Sequence, residues 1–198
     1  MPLRTRSRDY LSGVHPFIRV GDELELIQPH ASQADWLLRV FQTHRADFRP
    51  RFPWIDQFQT DVRVRAFLYD AERYNQGGQR LTLFVRHRDE LVGSLAFVRM
   101  DSANRTAEIG FWLVQNARGR GLMTDCCRTL LRHGFGPLQL HRVFLQTQTD
   151  NAVVFRLANR LGFRHEGTLR EAALVNGAYT DLAVFGLLKS EFLAPAAT

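Results

Sequence analysis

Arg118 to Gly121 form an arginine- and glycine-rich turn between a strand-like segment and an amphipathic, helix-like segment. Glycine adopts backbone angles closed to other residues and carries no Cβ, so N–H groups around Gly119 and Gly121 can converge on one anion. The helix predicted to follow would add its own free N–H groups and the positive end of its dipole. These residue types in this order predict a phosphate-binding turn.

Length and composition bound the class of protein. The chain has 198 residues, of which 45% are apolar, as is typical of a globular protein with a sizeable core. No apolar run approaches the roughly 20 residues that span a bilayer, and the N-terminus lacks the apolar segment of a secretory signal. Cys126 and Cys127 are adjacent, which does not support a disulfide framework. We expect a cytoplasmic protein that does not bind membranes.

The chain is basic, with a formal net charge of +6 and a pI of about 10.1. Lys189 is the only lysine, and the arginines are spread along the chain without a dense run. A solvated, arginine-rich surface accounts for this charge, and an acidic protein partner or a phosphorylated cofactor would also suit it. We expect no direct binding of nucleic acid.

Apolar periodicity predicts the elements that position the turn. A helix is expected to start near Ser32, where S-Q-A-D resembles a capping box, and a second helix is expected from Thr60 to Asn75, ended by Gly77. An aromatic loop from Phe48 to Phe58 lies between them, and Asn176-Gly177 predicts a hairpin near the C-terminus. The remaining helices are expected around 123–135 and after Asn151, and strands at 23–28, 81–86, 91–100, 106–114, 143–147, 168–175 and 179–188.

Three antiparallel strands followed by a strand, helix, strand crossover predict a mixed α/β protein. The order indicates a single domain over residues 1–198, with an N-terminal arm at 1–16 and a tail at 193–198. No internal repeat interrupts this order.

The motifs resemble the acetyl-CoA-dependent N-acetyltransferases of the GNAT superfamily. The resemblance is carried by R-G-R-G-L-M at Arg118, by D-N at Asp150 with L-G-F ending at Phe163, and by their order along the chain. A-E-I-G-F-W-L before the turn and N-G-A-Y-T-D at Asn176 are most similar to the ribosomal-protein alanine and serine N-acetyltransferase branch, RimJ and RimL. The resemblance implies a GNAT fold, with a central, mixed, mostly antiparallel twisted sheet of six to seven strands flanked by helices on both faces.

The resemblance also implies a donor site for acetyl-CoA and no metal. Backbone amides of the turn would hold the pyrophosphate, the strand end before it would pair with pantetheine, and an asparagine would hydrogen-bond the pantetheine arm. Asn151 could equally be a plain helix cap, and the two roles can coexist. The implied donor-site residues are Leu113, Val114, Arg118, Gly119, Arg120, Gly121, Leu122, Met123, Thr124 and Asn151.

Two residues are the candidate catalytic groups. Glu108 resembles the glutamate that some family members use as a base, although a structural salt bridge is an open alternative. The family often places a tyrosine or serine acid after the asparagine, but Ala158 and Val154 occupy those positions here. Tyr179 is the remaining candidate acid, with hairpin packing as its alternative, and release of the thiolate to water is a further route. An oxyanion would be stabilised by a backbone N–H near Val114.

The expected function is transfer of acetyl from acetyl-CoA to a primary amine by direct attack. The leading acceptor is a protein N-terminus, such as that of a ribosomal protein. A small amine, either a polyamine or an antibiotic, is the first alternative, and an acyl-CoA-binding regulatory module with low turnover is the second. Covalent catalysis through Cys126 or Cys127 is disfavoured because both fit the buried face of a helix. The family resemblance also suggests a homodimer.

Overall fold

The structure, a computed structural model, describes residues 18–193. The predicted arm and residues 194–198 of the predicted tail lie outside this range, while Leu193 ends the last helix. The described residues fall into two compact units. The first contains residues 18–96 and Phe111–Cys126, and the second contains Phe97–Gly110 and residues 127–193.

Eight strands form one mostly antiparallel sheet in the order β1-β2-β3-β4-β5-β6-β8-β7, which confirms the predicted mixed α/β class. Seven strands match the predicted segments, and the eighth is a two-residue strand at the start of the described range. The strands are β1 (Ile18–Arg19), β2 (Leu24–Ile27), β3 (Leu81–His87), β4 (Glu90–Asp101), β5 (Thr106–Leu113), β6 (Arg142–Gln148), β7 (Arg164–Val175) and β8 (Ala178–Leu188).

Within residues 18–193, six α-helices and three short 3-10 segments accompany the sheet. The helices are α1 (Ala34–Thr43), α2 (Arg45–Phe48), α3 (Asp61–Gln76), α4 (Leu122–Phe135), α5 (Ala152–Leu161) and α6 (Lys189–Leu193), and the 3-10 segments are Ala31–Gln33, Pro53–Gln57 and Gln115–Ala117. In the described part of the chain, no helix is long and apolar enough to cross a membrane.

The caps of the first unit confirm one helix start and correct another. Thr60 caps α3, since its side chain accepts a hydrogen bond from the Arg63 N–H at 3.4 Å, as predicted. The predicted capping box at Ser32 is wrong. The box is formed by His30, whose ring accepts from the Ser32 N–H, and by Gln33, whose side chain accepts from the His30 N–H. Histidine is an uncommon cap, so sequence preference favoured the serine.

Aromatic rings hold the short helix α2 in the first unit. Phe48 on α2 is buried and packs edge-on against Trp112 of β5, with ring centroids 5.1 Å apart. Phe41 of α1 packs against the same indole ring, with ring centroids 5.9 Å apart. The loop that follows α2 packs Trp54 against Phe41 and Phe58. The aromatic loop is therefore part of the packing that fixes α2 beside the end of β5.

The second unit contains the parallel crossover. β5 pairs with β6 in parallel only from Thr106↔Arg142 to Glu108↔Phe144. β6 continues to Gln148, and its later residues pair antiparallel with β8, up to Gln148↔Leu182. The parallel ladder thus ends at Glu108, the predicted catalytic residue.

The terminal hairpin of the second unit confirms the turn predicted at Asn176-Gly177. Both residues have positive φ, 50° and 85°, as a two-residue hairpin turn of this type requires. Farther along the hairpin, Arg142 of β6 and Glu166 of β7 pair across Gly186 of β8. A Cβ at Gly186 would meet the Arg142 guanidinium at 2.2 Å and the Glu166 carboxylate at 2.3 Å, so glycine leaves room for this pair.

Candidate functional site

The glycine-rich turn of the first unit has the backbone that an anion site requires. Gly119 and Gly121 have φ of 77° and 82°, and a Cβ at either would have no heavy atom within 4 Å. Open space therefore lies where side chains would otherwise stand. α4 begins at Leu122, and the Asp125 N–H makes the first helical bond, to the Gly121 carbonyl at 3.2 Å.

The first N–H groups of a helix have no acceptor within it. At α4 these belong to Leu122, Met123 and Thr124, the residues predicted to face the pyrophosphate. With the positive end of the helix dipole, they form a donor set suited to a phosphate ester. The residues present thus fit a pyrophosphate group on the glycine-rich side of this turn.

The two arginines of the turn differ. Arg118 makes two hydrogen bonds to Asp47 of α2, from Nη1 to Oδ1 at 3.1 Å and from Nη2 to Oδ2 at 2.5 Å. Its Nε also donates to the Leu113 carbonyl at 3.0 Å. The Arg120 side chain is exposed and makes no ion pair with any residue in 18–193. Arg118 is therefore a structural cation, and Arg120 is the arginine whose charge is available to a ligand.

The strand end before the turn is already hydrogen-bonded. The Val114 N–H donates to the Val92 carbonyl of β4 at 2.9 Å, and the Val114 carbonyl accepts from the Ala117 N–H at 3.1 Å. The Leu113 carbonyl accepts from Arg118. Pairing with pantetheine at Leu113 and Val114 would therefore use the second lone pair of a carbonyl. The Val114 N–H itself is occupied, which contradicts its use for an oxyanion.

A glycine of β4 explains why the strand end is held so closely. A Cβ at Gly93 would lie 2.4 Å from the Trp112 carbonyl oxygen and 2.6 Å from a Leu113 methyl group. Only glycine permits this approach of β4 to the end of β5. Gly93 and Val92 were not among the predicted site residues, and they set the position of the backbone at Leu113 and Val114.

Glu108 lies at the last rung of the parallel ladder in the second unit, and its side chain is 13% exposed. Its Oε2 accepts from Arg99 Nε at 2.5 Å and pairs with the Arg99 Nη2. The structure thus forms the salt bridge that the sequence left as an alternative. Because a carboxylate has two oxygens, the second remains open to a water or an amine.

Asn151 caps α5, as predicted. Its Oδ1 accepts from the Val154 N–H at 3.4 Å, and its Nδ2 donates to the Thr147 hydroxyl at 3.1 Å. Thr147 is buried at the end of β6, so it fixes the amide orientation. The helix-cap alternative is realised, and the second lone pair of Oδ1 is still available for the predicted pantetheine contact.

The groups that could protonate a leaving thiolate are few. Val154 and Ala158 are apolar, and Ala158 is fully buried. Tyr179 is 69% exposed near the start of β8, so it does not have the packed hairpin position given as its alternative role. Burial raises the pKa of the Cys126 thiol to about 12, and a negative charge at Asp125 adds to this shift, which disfavours a thiolate nucleophile.

Besides Val92 and Gly93, three supporting residues were missed from the sequence, and only one of these three had a usable signal. Arg99 and Glu108 flank the turn between Asp101 and Thr106 symmetrically, so an antiparallel register already places them opposite each other. Asp47 is 71 residues from its partner in sequence, and Thr147 is an ordinary strand threonine. Among residues 18–193, no group of three or more His, Cys, Asp or Glu side chains is placed to hold a metal ion.

A family model described as an acetyltransferase (GNAT) domain matches residues 23–164. The ribosomal-protein-serine acetyltransferase of Escherichia coli strain K12 is 27% identical over 168 residues, which cover 85% of this chain and 94% of that protein.

Two solved structures share the fold along most of the chain. Microcin C7 self immunity acetyltransferase MccE, in complex with acetyl-CoA and AMP, aligns with a TM-score of 0.83 and 27% identity, over 86% of this chain and 95% of that one. RimL, a ribosomal L7/L12 alpha-N-protein acetyltransferase in complex with coenzyme A, aligns with a TM-score of 0.84 and 23% identity, over 87% of this chain and 97% of that one.

Proposed function

Since the chain belongs to the acetyltransferase (GNAT) family and is an acetyl-CoA-dependent N-acetyltransferase, we propose that its acceptor is the N-terminal amine of a protein. A ribosomal protein is the leading acceptor, in line with the similarity to the ribosomal-protein-serine acetyltransferase. The whole chain acts as one catalytic domain in this proposal, with residues 1–16 as an arm and 193–198 as a tail.

The observation that carries the acceptor class is the state of Glu108. Arg99 holds one of its oxygens in an ion pair, so only the other oxygen is left to receive a proton from the acceptor. An α-amine with a pKa near ~8 is about one-quarter neutral at pH 7.5, whereas a lysine amine near ~10.4 is neutral in about one molecule per thousand. An α-amine therefore suits this site, because it needs little help to lose its proton.

Each predicted donor-site residue has a proposed role. The N–H groups from Gly119 to Thr124 hold the pyrophosphate, and exposed Arg120 adds charge to it. The Arg118 N–H, also predicted to bind it, already donates to the Gln115 carbonyl at 3.1 Å. In the first unit, Leu113 and Val114 line the pantetheine. In the second unit, Asn151 keeps an Oδ1 lone pair for the predicted pantetheine contact. Bound acetyl-CoA supplies an activated thioester, and the chain's own groups orient it and receive the proton of the amine at Glu108.

The proton that returns to the sulfur comes from Tyr179 or directly from water. Val154 and Ala158 cannot supply it, and the exposed Tyr179 phenol is in contact with solvent. A Tyr179→Phe variant separates the two routes. If the phenol is the donor, turnover falls by at least about tenfold, as for the loss of a general acid. If water is the donor, turnover is unchanged.

Acetylation of a defined panel tests the acceptor. Peptides with free N-terminal serine or alanine, the same peptides blocked at the N-terminus but carrying a lysine, and spermidine are compared by thiol release, and the products by mass spectrometry. We expect the highest kcat/KM for the free N-termini and mass added at the α-amine. Thiol release only with spermidine would refute this acceptor, and CoA binding without amine-dependent release would support the regulatory-module alternative.

A small antibiotic amine is the second candidate acceptor. It is favoured by the similarity to the microcin self immunity acetyltransferase, which equals the first relative in identity. The discriminating measurement is competition. An amine antibiotic that is acetylated and that inhibits peptide acetylation with an inhibition constant below the peptide KM would place this candidate first.

The cellular setting proposed for the chain is the cytoplasm. Cys126 and Cys127 are buried and are not joined in a disulfide, which suits a reducing cytoplasm. At least ten arginines in the described residues form ion pairs with carboxylates, so much of the positive charge is already neutralised and we propose no direct nucleic-acid binding. A homodimer is proposed from the family resemblance, and sedimentation at micromolar concentration tests it.

A further inference from the structure

Asp47 of α2 forms an ion pair with Arg118, the first residue of the glycine-rich turn. The pair is bidentate, and its side chains are only 21% and 42% exposed. The remaining edge of the guanidinium, at Nε, donates a hydrogen bond to the Leu113 carbonyl. The side chain of Arg118, which begins the turn, thus contacts both α2 and the last residue of β5.

The carboxylate is itself held in place by its neighbours. Phe48, next in sequence, is buried against Trp112, which precedes Leu113. On the other side, Arg45 of α2 pairs with Asp56 at 2.5 Å, and Arg49 pairs with the same carboxylate at 3.0 Å. A four-residue helix has little stability of its own, so these contacts fix where the Asp47 carboxylate lies.

We propose that Asp47 is a positioning residue for the pyrophosphate of the donor, acting through Arg118. This inference rests on the proposed role of the turn in holding the pyrophosphate. Gly119 and Gly121 have open space around their Cα atoms, so nothing on their own side chains restricts the turn. Fixing Arg118 at one end, while α4 fixes the other, holds the N–H groups between them ready for the anion.

The charge of Asp47 makes the sign of the effect informative. A carboxylate near an anion site weakens anion binding unless a cation neutralises it. Replacing Asp47 with asparagine removes that repulsion and leaves Arg118 unpaired, which by charge alone would strengthen CoA binding. A weaker binding of CoA can therefore only come from lost positioning, and a stronger binding overturns the inference.

Two ligands and three variants of the full chain test the role. The dissociation constants of CoA and of phosphate-free pantetheine are measured by calorimetry. We expect Asp47→Asn to weaken CoA binding by about tenfold, which is the scale of losing one charge-assisted hydrogen bond, and to leave pantetheine binding within about twofold. Arg118→Lys, which cannot make the fork, should have the same effect, and the double variant should be no worse than either single variant.

Glu23→Gln is the matched control. It removes an exposed ion pair with Arg88 from the same unit and changes no contact of α2 or of the turn, so its CoA affinity should stay within about twofold of wild type. Equal loss of CoA and pantetheine binding, additive losses in the double variant, or the same loss in the control would each overturn the inference. If Asp47→Asn fails to fold, Arg118→Lys carries the same ratio test. A wild-type chain that binds CoA but acetylates no N-terminus would remove the proposed acceptor and leave this result standing.

Discussion

Gly121 offers a sharp test of the donor site, because its conformation and its surroundings can be separated. Its φ of 82° lies in the left-handed region, and nothing lies within 4 Å of the position of a Cβ. Gly78, in the turn after α3, has φ of 70° and the same open surroundings. The two glycines thus share backbone strain on substitution and differ in whether an anion is expected beside them.

The comparison of Gly121 with Gly78 gives the expected losses of stability and of CoA affinity. A non-glycine residue in the left-handed region costs about 1 kcal/mol or slightly more, which lowers the Tm of a chain of this length by about 2 to 4 °C per kcal/mol. Alanine at Gly121 or Gly78 should show only this loss. Glutamate at Gly121 adds a charge about 5 Å from a phosphate, which at an effective dielectric of about 20 opposes binding by about 3 kcal/mol. CoA affinity should then fall more than about a hundredfold.

Calorimetric titration with CoA and thermal unfolding of Gly121→Ala, Gly121→Glu, Gly78→Ala and Gly78→Glu provide the comparison. The expected result is similar Tm values for all four variants and loss of CoA binding in Gly121→Glu alone. Wild-type affinity in Gly121→Glu would remove the turn from the donor site. Equal losses of affinity in the two glutamate variants would show that strain, and not charge at the turn, controls binding.

Three further outcomes are expected. Glu108→Gln should lower kcat at pH 7 by at least about tenfold with little change in KM. Arg99→Gln leaves the carboxylate in place and should retain turnover. Full turnover in Glu108→Gln would exclude Glu108 as the base. The buried Cys126 thiol, whose pKa is raised to about 12, should resist iodoacetamide at pH 8, and rapid inactivation by its alkylation would contradict that burial. A hydrogen bond from Arg142 lowers the pKa of Glu166 below its ordinary 4.5, so this pair stabilises the fold above that pH and loses its effect as the pH falls through the lowered pKa. The stability difference between Glu166→Gln and wild type should therefore be full at pH 7 and vanish in acid, and a difference independent of pH would refute the ion pair as its origin.

Features encoded within a few residues were predictable from the sequence. Thr60 capping α3, Asn151 capping α5 and the Asn176-Gly177 turn each depend on backbone groups two to four residues away, where residue preference is strong. The glycine-rich turn belongs to the same class, since positive φ at Gly119 and Gly121 is a local property. Even here a local rule failed at His30, because this less common capping residue, two positions before Ser32, forms the capping box with Gln33.

Features that depend on distant pairing were not predictable. Val114 reads as a strand end with a free N–H, and only the approach of β4 at Gly93 shows that the Val92 carbonyl already accepts it. Arg118 reads as a phosphate ligand because it begins the turn, and only the position of α2 shows that Asp47 neutralises it. Apolar periodicity predicts which face of an element is buried. It does not predict which residue of another element contacts that face.

The chemistry of the two units points to an enzyme that relies on positioning more than on strong acids and bases. Glu108 is paired with Arg99, and no proton donor occupies Val154 or Ala158. Little help from acids and bases is sufficient when the amine is already partly neutral. The ion pair at Arg118 has the same character, because it orders backbone amides and contributes no proton. The two proposals therefore agree. The proposed α-amine acceptor needs little help with proton transfer, and the proposed role of the Asp47–Arg118 pair is to fix backbone geometry.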